Sequence, residues 1–513
     1  MGRPLPAYAE VVVVGAGPVG LLLGGELALG GVPTVVLEKA AEPHGESRAA
    51  QLGPSTVELL LQRGLREALG TPPTRDVGHF GGIPLDVRRV GGPVRTNWMV
   101  PQYRTEEILY DWATGLGATV FRGREVVGLR DDGGFVVLDV RGPEGRRAAG
   151  RTTRIRARYV VGCDGRDGVV GALAGMTFPG RTASRELLRA DVSGVDIEPR
   201  RFDRLPTGVA VAGALPDGVT RIMALEYGRA PAVRRGPPEF GEVADVWKRV
   251  TGDDISMGRA IWTDVFDDTC RQAAGYRRGN VLVAGDAARL HMPVGGQSLN
   301  TGLQDAVNLG WKLAAEVRGW APEGLLDTYH TERHAVGVRV LANVEAQTTV
   351  QFDGARADPL REIVTEILDL PAAATHLAAM VCGVDVRYPV GHDGAGDVGV
   401  VDVLGRRLPL LRDVDDPAPL PPGVGALLIH ETAAPKTRVL RAAVAAGWSG
   451  RVRVIPRERS AGLLPSGVDA VLVRPDGHVV WTDTAGEVIE DALQRWFGRP
   501  ADVPSTQEEG NPQ

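Results

Sequence analysis

Apolar runs separated by glycine-rich turns predict alternating strands and helices along the chain. Residues 11–14 form a short β-branched run typical of a buried parallel strand, and the apolar residues 21–28 after it fit a helix. Thr34–Leu37 predicts a second strand, and residues 159–161 and 281–284 predict two more buried strands much further along. The alternation indicates a mixed α/β fold.

A glycine turn typical of dinucleotide binding stands between the first strand and the first helix. It contains Gly15, Gly17, Pro18 and Gly20. Gly15 permits the tight turn, Gly17 lets a pyrophosphate approach the backbone, and Gly20 lets the helix pack on the strand. Glu38 follows the second strand, 18 residues after Gly20 (38 − 20), near the spacing of about 20 expected for an acid that binds a ribose hydroxyl. An ordinary turn is the alternative, but strand, turn, helix and acid in register favour a dinucleotide.

A second glycine-rich segment predicts which dinucleotide is bound. Residues 281–284 deliver Asp286 to the end of a strand, where ligands of open α/β sheets lie. The spacing of apolar residues from 297 onward predicts a helix, so Gly295 and Gly296 precede a helix N-terminus. Free N–H groups there suit the negative charge of a reduced flavin. The alternative is a loop that merely caps a core helix.

Together these motifs resemble those of the FAD-dependent class A aromatic hydroxylases, within the branch that acts on polyketide-derived aromatic compounds. The resemblance covers nearly the whole chain and rests on residues 15–20 with Glu38, on Arg48, on residues 102–109 and on residues 285–313. It implies FAD as cofactor, NADPH or NADH as reductant and O2 as co-substrate. A flavin C4a-hydroperoxide would pass oxygen to an aromatic polyketide phenol or quinone in antibiotic-type biosynthesis. The flavin carries this chemistry, so no catalytic residue is assigned.

The resemblance also implies individual roles. Glu38 would hold the adenosine ribose and Asp286 the ribityl chain, and Arg48 and Gln102 would reach the pyrophosphate or ribityl region. Asp164, after the strand at 159–161, would contact both FAD and the nicotinamide. The flavin ring would lie against Pro293, Gly295, Gly296, Gln297, Ser298, Leu299 and Asn300. Because ligand pockets are mostly apolar, the candidates for the substrate pocket are Trp98, Tyr103, Tyr227, Trp262 and Phe266.

Four positions depart from the family pattern. Gly168 and Gly171 stand where the family has serine and arginine after the Asp-Gly motif, Arg289 replaces a histidine, and Ser298 replaces a glycine. Serine adopts a positive φ less readily than glycine, so Ser298 is expected to alter flavin placement. Arg166 is a candidate to supply the missing arginine's charge. Two other functions stay open: a Baeyer-Villiger or epoxidising flavoprotein monooxygenase, and a flavin-binding accessory protein with little or no oxygenase activity.

The implied α/β fold has a Rossmann-like FAD-binding domain of glutathione-reductase-like topology, an inserted β-sheet substrate domain and a thioredoxin-like C-terminal domain. The FAD domain would be discontinuous over 1–70, 101–182 and 273–388. The substrate domain would cover 71–100 and 183–272, the C-terminal domain 389–498, and a flexible tail 499–513. No cysteine follows Cys382, so the C-terminal domain lacks a redox dithiol and is interpreted as a structural or oligomerisation module, with a homodimer as a candidate assembly.

Composition excludes several other classes. A net charge of −6 with dispersed charges argues against a nucleic acid partner. The widely spaced cysteines fit a reducing cytoplasm.

The apolar N-terminal stretch contains the glycine turn and stops at Glu26, which argues against a signal peptide or membrane span. His330 and His334 lack a third ligand, so a solvated helix face is favoured over a metal site. His291 is interpreted as a structural residue beside the flavin, with a proton-relay role as the alternative.

Overall fold

The computed structural model describes residues 4–501 except 44, 46–47, 143–151, 216–217, 235, 392–402, 410–422, 431–433, 458–463 and 465. Within those residues the helices are α1 Pro18–Leu29, α2 Pro54–Leu61, α3 Arg66–Leu69, α4 Gln102–Gly115, α5 Val170–Leu173, α6 Phe240–Thr251, α7 Gln297–Val317, α8 Thr328–Phe352, α9 Asp358–Leu368, α10 Pro371–Cys382, α11 Ala434–Ala445 and α12 Ile489–Phe497.

The strands in the same part of the chain are β1 Tyr8–Val14, β2 Thr34–Leu37, β3 Thr74–Arg75, β4 Val77–Phe80, β5 Ile83–Asp86, β6 Asn97–Trp98, β7 Thr119–Phe121, β8 Glu125–Asp131, β9 Val136–Arg141, β10 Thr152–Gly162, β11 Gly180–Arg181, β12 Glu186–Ser193, β13 Arg200–Leu205, β14 Gly208–Ala214, β15 Val219–Glu226, β16 Arg259–Asp267, β17 Cys270–Gln272, β18 Arg277–Arg278, β19 Val281–Val283, β20 Arg289–Leu290, β21 Gly425–His430, β22 Val452–Arg457, β23 Ala470–Val473 and β24 Val479–Thr482.

The four predicted buried strands lie side by side in one eight-stranded sheet, in the order β18-β19-β10-β1-β2-β7, with β9 joined to β10 and β8 to β9. The neighbours β19, β10, β1, β2 and β7 are all parallel. Helix α1 is buried on nearly all sides, between this sheet and helices α4 and α7, which explains its uniformly apolar sequence. The sheet brings the carboxyl ends of β1, β10 and β19 to one edge, although they are far apart in sequence.

A second, antiparallel sheet lies between residues 186 and 267, in the order β13-β14-β15-β12-β16, with α6 packed on one face. Strands β14 and β15 are antiparallel neighbours in it. Residues 71–100, which are expected to share the substrate domain, do not join this sheet. They form two separate pairs, β3 with β6 and β4 with β5, because repeated prolines and paired glycines in this segment interrupt any longer ladder.

The C-terminal elements form a separate four-stranded sheet. Their sheet runs β22-β21-β23-β24, in which β21 and β22 are parallel and the other pairs antiparallel, with α11 and α12 packed against it. Trp311 and Ala315 of α7 belong to the same hydrophobic cluster as this sheet. Helix α7 is therefore part of two cores, one beneath the N-terminal sheet and one beneath the C-terminal sheet.

A buried ionic cluster connects helices α7 and α8 with the C-terminal sheet. Glu332 of α8 accepts hydrogen bonds from both terminal nitrogens of Arg474 at 2.6 and 2.9 Å and from Lys312 of α7 at 2.6 Å. Arg474 also binds Asp476. Burial opposes ionisation of Glu332, yet Arg474 and Lys312 lower its pKa to about 2, while burial lowers the pKa of Lys312 to about 8. Such a cluster is stable only while every charge keeps its partner.

No single helix among the described residues has the length and apolar character needed to cross a membrane, although the bent pair 354–368 and Pro371–Cys382 meets that test when taken together.

Candidate active site

The predicted glycine turn joins β1 to α1 and is tightly packed from behind. Gly15 has a φ of +105° and its N–H donates to the Leu37 carbonyl at 2.7 Å. A Cβ atom at Gly15 would lie 2.3 Å from the Cys163 carbonyl oxygen, and one at Gly20 would lie 2.0 Å from the Gly15 oxygen. At Gly17, by contrast, a Cβ would meet nothing within 4 Å. The turn is therefore closed on the protein side and open on the other, as a bound pyrophosphate requires.

Glu38 lies directly after β2, beside the glycine turn. Its carboxylate accepts hydrogen bonds from the N–H groups of Ala16 and Ala40, each at 2.8 Å. These bonds fix the carboxylate at the end of β2, next to the glycine turn. The position agrees with a ribose-binding acid.

Arg48 and Gln102 are held in place by backbone contacts. Gln102, the first residue of α4, accepts from the Ala49 N–H at 3.2 Å, and its own N–H donates to the Ala49 carbonyl at 2.8 Å. The Arg48 carbonyl accepts from Arg189 at 3.1 Å, while its guanidinium lies 3.6 Å from the Asp264 carboxylate and stays largely exposed. Residues 46 and 47, which precede Arg48, lie outside the described residues.

The flavin loop, residues 285–300, has the backbone geometry that its glycines predict. Gly285 has a φ of +65°, and Gly295 and Gly296 have φ values of +74° and +66° immediately before α7 begins at Gln297. Helix α7 has no side-chain cap at its N-terminus. Its first N–H groups are therefore available to a ligand.

Ser298 does not carry the strain expected of it. It lies in the first turn of α7 with helical backbone angles, and its hydroxyl donates to the Asp286 carboxylate. Serine in place of glycine therefore does not distort the loop. It adds a hydrogen bond to Asp286, the residue predicted to bind the ribityl chain. Asn300 ties the loop to the N-terminal part of the chain, because it accepts from the Gly53 N–H at 2.7 Å and donates to the Gly296 carbonyl at 2.8 Å.

The side chain of Arg289, itself a residue of the flavin loop, is turned into the core behind the loop. It is fully buried and donates to Asp305 at 2.7 Å. The same carboxylate accepts from Arg333 at 2.7 Å and from the Gly285 N–H at 3.1 Å. Arg289 therefore supports the turn that presents Asp286, which gives the departure from histidine a structural role.

Asp164 does not face the cofactor space as expected. Its carboxylate turns back and accepts from the N–H groups of Val169 and Val170 at 2.6 and 3.0 Å, so it caps the short helix α5. Gly168 makes this possible, since a Cβ there would lie 2.4 Å from the Asp164 carboxylate. Burial raises the pKa of Asp164, although these backbone hydrogen bonds oppose the shift.

The three residues that follow Asp164 in the sequence line the cavity beside the glycine turn. Gly165, Arg166 and Asp167 line a large cavity, and the Arg166 guanidinium is paired with Asp267 on β16. A side chain at Gly171 would meet the Phe178 ring at 2.7 Å, so packing requires glycine there. Arg166, the candidate to replace the missing arginine, thus lies at the cavity, but its charge is paired with the Asp267 carboxylate.

A cavity of about 980 Å³ extends along the glycine turn to the flavin loop. The predicted cofactor-binding residues that line it are Gly17, Pro18, Arg48, Gln102, Asp286, Pro293, Ser298 and Leu299. His291 also lines it: its Nδ1 bonds the Met292 carbonyl at 2.9 Å, and its buried Nε2 has no partner among the described residues. An open glycine turn, a carboxylate, an uncapped helix and an unpartnered nitrogen around one cavity fit FAD.

A second cavity of about 870 Å³ lies between the flavin loop and the antiparallel sheet. It shares Arg48, Ala49, Pro293, Ser298 and Leu299 with the first, so the two meet at the flavin loop. Gly295, Gly296 and Asn300 line only the second one. Its other walls come from the β4–β5 hairpin and from β13, β14 and β15. The cofactor cavity and a substrate-sized cavity are thus adjacent.

Comparison with known proteins agrees with this arrangement. Residues 8–344 match the family model described as an FAD binding domain, and residues 401–500 match the aromatic-ring hydroxylase C-terminal model. The chain belongs to the FAD-dependent aromatic-ring hydroxylases. Membership makes it an FAD-dependent aromatic monooxygenase of the type found in polyketide secondary metabolism.

Individual members of the family resemble the chain over almost their whole length. The 12-dehydrotetracycline 5-monooxygenase/anhydrotetracycline 6-monooxygenase of Streptomyces rimosus is 38% identical, over 96% of this chain and 99% of that protein. The structure of CabE, an aromatic hydroxylase from angucycline biosynthesis, is 43% identical with a TM-score of 0.87, over 96% of this chain and 99% of that one. Dialkyldecalin synthase of Streptomyces rugosporus is 35% identical, over 96% and 99% of the two chains.

Two of the five aromatic candidates for the substrate pocket line the cavity that fits FAD and not the adjacent substrate-sized cavity. Trp262 and Phe266 of β16 line the first cavity, and the buried guanidinium of Arg189 stacks between them, 4.3 and 4.7 Å from the two ring centroids. Burial lowers the pKa of Arg189 to about 10, so it stays charged at neutral pH. The two rings form part of the cavity wall, and Arg189 packs against them.

The other three aromatic predictions were wrong, since these residues line neither cavity. Trp98 is buried in the core, where its strand bridges Leu52. Tyr103 is on the outer face of α4 with 41% of its surface exposed. Tyr227 packs beside Gly354 in a separate cluster. Trp98 and Tyr103 lie in a strand and a helix that direct their side chains away from the two cavities, and Tyr227 directly follows β15.

Sequence reasoning missed Arg189, His79 and Phe202. Arg189 could have been noticed as a charged residue within the apolar residues 187–190. His79 and Phe202 line the second cavity from β4 and β13 and meet only in the folded chain, so no local pattern indicates them.

The two histidines considered as metal ligands pack beside a buried tyrosine. The rings of His330 and His334 lie 6.1 and 5.5 Å from the Tyr276 ring, and the Tyr276 N–H donates to His330 at 3.3 Å. The helix face is therefore partly covered, not solvated as expected. Among the described residues, no group of three or more His, Cys, Asp or Glu side chains is arranged to hold a metal ion.

Proposed function

We propose that this enzyme hydroxylates a phenolic or quinonoid polycyclic aromatic polyketide, with FAD as cofactor, NADPH or NADH as reductant and O2 as co-substrate. The observation that carries the proposal is the meeting of two large cavities at the flavin loop. One is bordered by the glycine turn and suits the cofactor. The other lies beyond the flavin loop and is large enough for a ligand of several fused rings.

Residues that line the first cavity, or adjoin it as Glu38 does beside the glycine turn, would bind and orient the cofactor. Glu38 would take the ribose, the open face of Gly17 the pyrophosphate, and Asp286 the ribityl chain. The uncapped start of α7 would stabilise the negative charge that the flavin gains on reduction. When bound and reduced, FAD would activate O2, from which the transferred oxygen atom comes.

The residues of the second cavity would hold the substrate. Leu85, Val211 and Met223 give it apolar surface, and Arg75, Arg200 and Arg201 add positive charge around it. Apolar surface suits the faces of a fused ring system, and arginines suit phenolate or carbonyl oxygens at its edges. An electron-rich phenol is also the kind of ring that accepts an electrophilic oxygen.

The C-terminal domain is proposed to be thioredoxin-like and to serve as a structural module. Its parallel pair β21 and β22 next to the antiparallel β23 and β24, with helices α11 and α12, supports that view. Since Cys382 precedes it and no cysteine lies within it, it offers no dithiol chemistry.

The test is stopped-flow absorbance of the holoprotein mixed anaerobically with NADPH, with and without anhydrotetracycline or a phenolic benz[a]anthraquinone. We expect flavin bleaching that the aromatic compound accelerates, followed in air by a product that has gained one oxygen atom from O2. NMR of that product separates ring hydroxylation from epoxidation and from Baeyer-Villiger insertion. A flavin that stays oxidised, or product formed without NADPH, would contradict the proposal and favour a redox-neutral role, as the name of the synthase relative suggests.

A further inference from the structure

His79 offers an unused hydrogen-bond donor to the second cavity. It lies on β4, lines the cavity, and its Nδ1 accepts the Gly82 N–H at 3.2 Å. A neutral imidazole that accepts at Nδ1 must carry its proton on Nε2. Among the described residues, no hydrogen bond engages Nε2. The ring therefore has a donor that the protein itself does not use.

The imidazole is held neutral. Burial lowers the pKa of His79 to about 4, and the positive charges of Arg201 and Arg361 act in the same direction. Both arginines are fastened to the hairpin, because Arg201 donates to the Val77 carbonyl at 3.3 Å and Arg361 to the Gly81 carbonyl at 2.6 Å. His79 is thus a fixed neutral donor near neutral pH and not a proton-exchanging group.

A strained phenylalanine fixes the orientation of the ring. Phe202 is the one non-glycine residue with positive φ in the described part of the chain, at +56°. Its ring lies 4.6 Å from the imidazole with the planes inclined by 54°, and both side chains line the cavity. Strain of this kind persists where the surroundings over-determine a conformation, and it clusters at binding sites. Gln351 supports the strained residue by donating to its carbonyl at 3.3 Å.

A chain of buried amides ties the His79 hairpin to the flavin loop. The Gly81 N–H donates to Gln347 at 3.1 Å, Gln347 donates to Asn343 at 3.2 Å, and Asn343 donates to Gln297 at 3.0 Å. Gln297 is the first residue of α7, and the three amide side chains are almost fully buried. The donor on His79 is therefore held at a set distance from the place where the flavin ring is expected.

We propose that His79 binds the substrate by donating its Nε2–H to a carbonyl or phenolic oxygen on the part of the ring system away from the flavin. The inference rests on the proposed function and adds a statement about which substrates the enzyme prefers. The enzyme prefers polycyclic aromatics that carry an oxygen at that edge, because a buried donor left without an acceptor costs binding energy. His79 thereby sets which ring carbon faces the flavin.

Three substitutions separate this role from a purely structural one. His79→Gln keeps a donor close to the Nε2 position but loses the acceptor for Gly82. His79→Asn keeps an acceptor at the Nδ1 position but has no donor that reaches the cavity. His79→Leu has neither. FAD content and melting temperature are measured for each variant, so that misfolding is recognised.

The assay is titration of each FAD-loaded variant with anhydrotetracycline, followed by the change in flavin absorbance, together with the ratio of product formed to NADPH consumed. We expect His79→Leu and His79→Asn to bind roughly 5- to 10-fold more weakly, with a lower product ratio, as loss of one neutral hydrogen bond implies. His79→Gln should recover binding to within about 2-fold of the wild type by the same reasoning.

The opposite order would overturn the inference. Recovery in His79→Asn but not in His79→Gln means that His79 only holds the hairpin turn, and unchanged binding in all three means that it has no role. Failure of the wild-type holoprotein to bind anhydrotetracycline also counts against it. Flavin reduction by NADPH is measured separately, so the proposed function can survive any of these results.

Discussion

Replacing Asp286 by alanine should release FAD. Asp286 follows β19, lines the first cavity, and accepts a hydrogen bond from the Ser298 hydroxyl in the first turn of α7. One oxygen of the carboxylate is therefore oriented before the cofactor arrives. A ribityl hydroxyl can donate to this carboxylate without the loop having to reorganise.

The size of the effect follows from these contacts. A hydrogen bond to a charged acceptor contributes about 1.5–3 kcal/mol, which corresponds to an FAD affinity roughly 10- to 150-fold weaker in Asp286→Ala. Ser298→Ala keeps the charge and loses only the orienting hydroxyl, so a loss of about 2- to 10-fold is expected. The two variants thus form a graded pair at one site.

The measurement is FAD binding to the apoprotein, followed by quenching of flavin fluorescence. Full yellow occupancy of purified Asp286→Ala, or a larger loss in Ser298→Ala than in Asp286→Ala, would refute the reasoning. Ser298→Gly serves as a further control. Because residue 298 has helical backbone angles, glycine there relieves no strain, and the rate of flavin reduction by NADPH should not increase.

Three further outcomes can be measured by urea or thermal denaturation. Gly168→Ser should cost about 1–3 kcal/mol of stability, because its Cβ would displace the Asp164 carboxylate that caps α5; an unchanged midpoint contradicts this. Arg474→Met should cost about 3–5 kcal/mol, since Glu332 is left buried without its main partner, and adding Glu332→Gln should recover part of the loss. The pKa of Glu332 is lowered from 4.5 to about 2, so its ionisation stabilises the fold above pH 4.5 and that contribution is lost as the pH falls towards 2; Glu332→Gln should flatten the dependence of the melting temperature on pH in this window.

The sequence predicted the parallel strands, the glycine turn and the flavin loop because each is a contiguous pattern whose chemistry is local. Strands such as residues 281–284 are apolar throughout, and the glycines at 295 and 296 permit the positive φ that the turn before α7 adopts. These features depend little on distant parts of the chain.

The walls of the cavities could not be predicted in the same way. Trp98 and Trp262 are both aromatic and both lie in strands, but only the packing of the finished sheets decides that Trp262 faces a cavity and Trp98 the core. The expected distortion at Ser298 failed for a related reason, because the helix starts one residue before it. The contact of Asp164 with the start of α5 could not be predicted either, because it depends on the glycine at 168, which leaves room for the carboxylate to fold back.

Helix α7 limits how this chain can be recombined with its relatives. Its first turn borders the flavin loop, and its second half supplies Trp311 and Ala315 to the core of the C-terminal sheet. A chimera joined between Pro389 and Gly425 would divide the two sides of that core between different parents. Such hybrids should work only when the donor of the C-terminal part brings an arginine opposite Glu332 and apolar residues that fit Trp311, so the domain is exchangeable as a matched partner and not as an independent module.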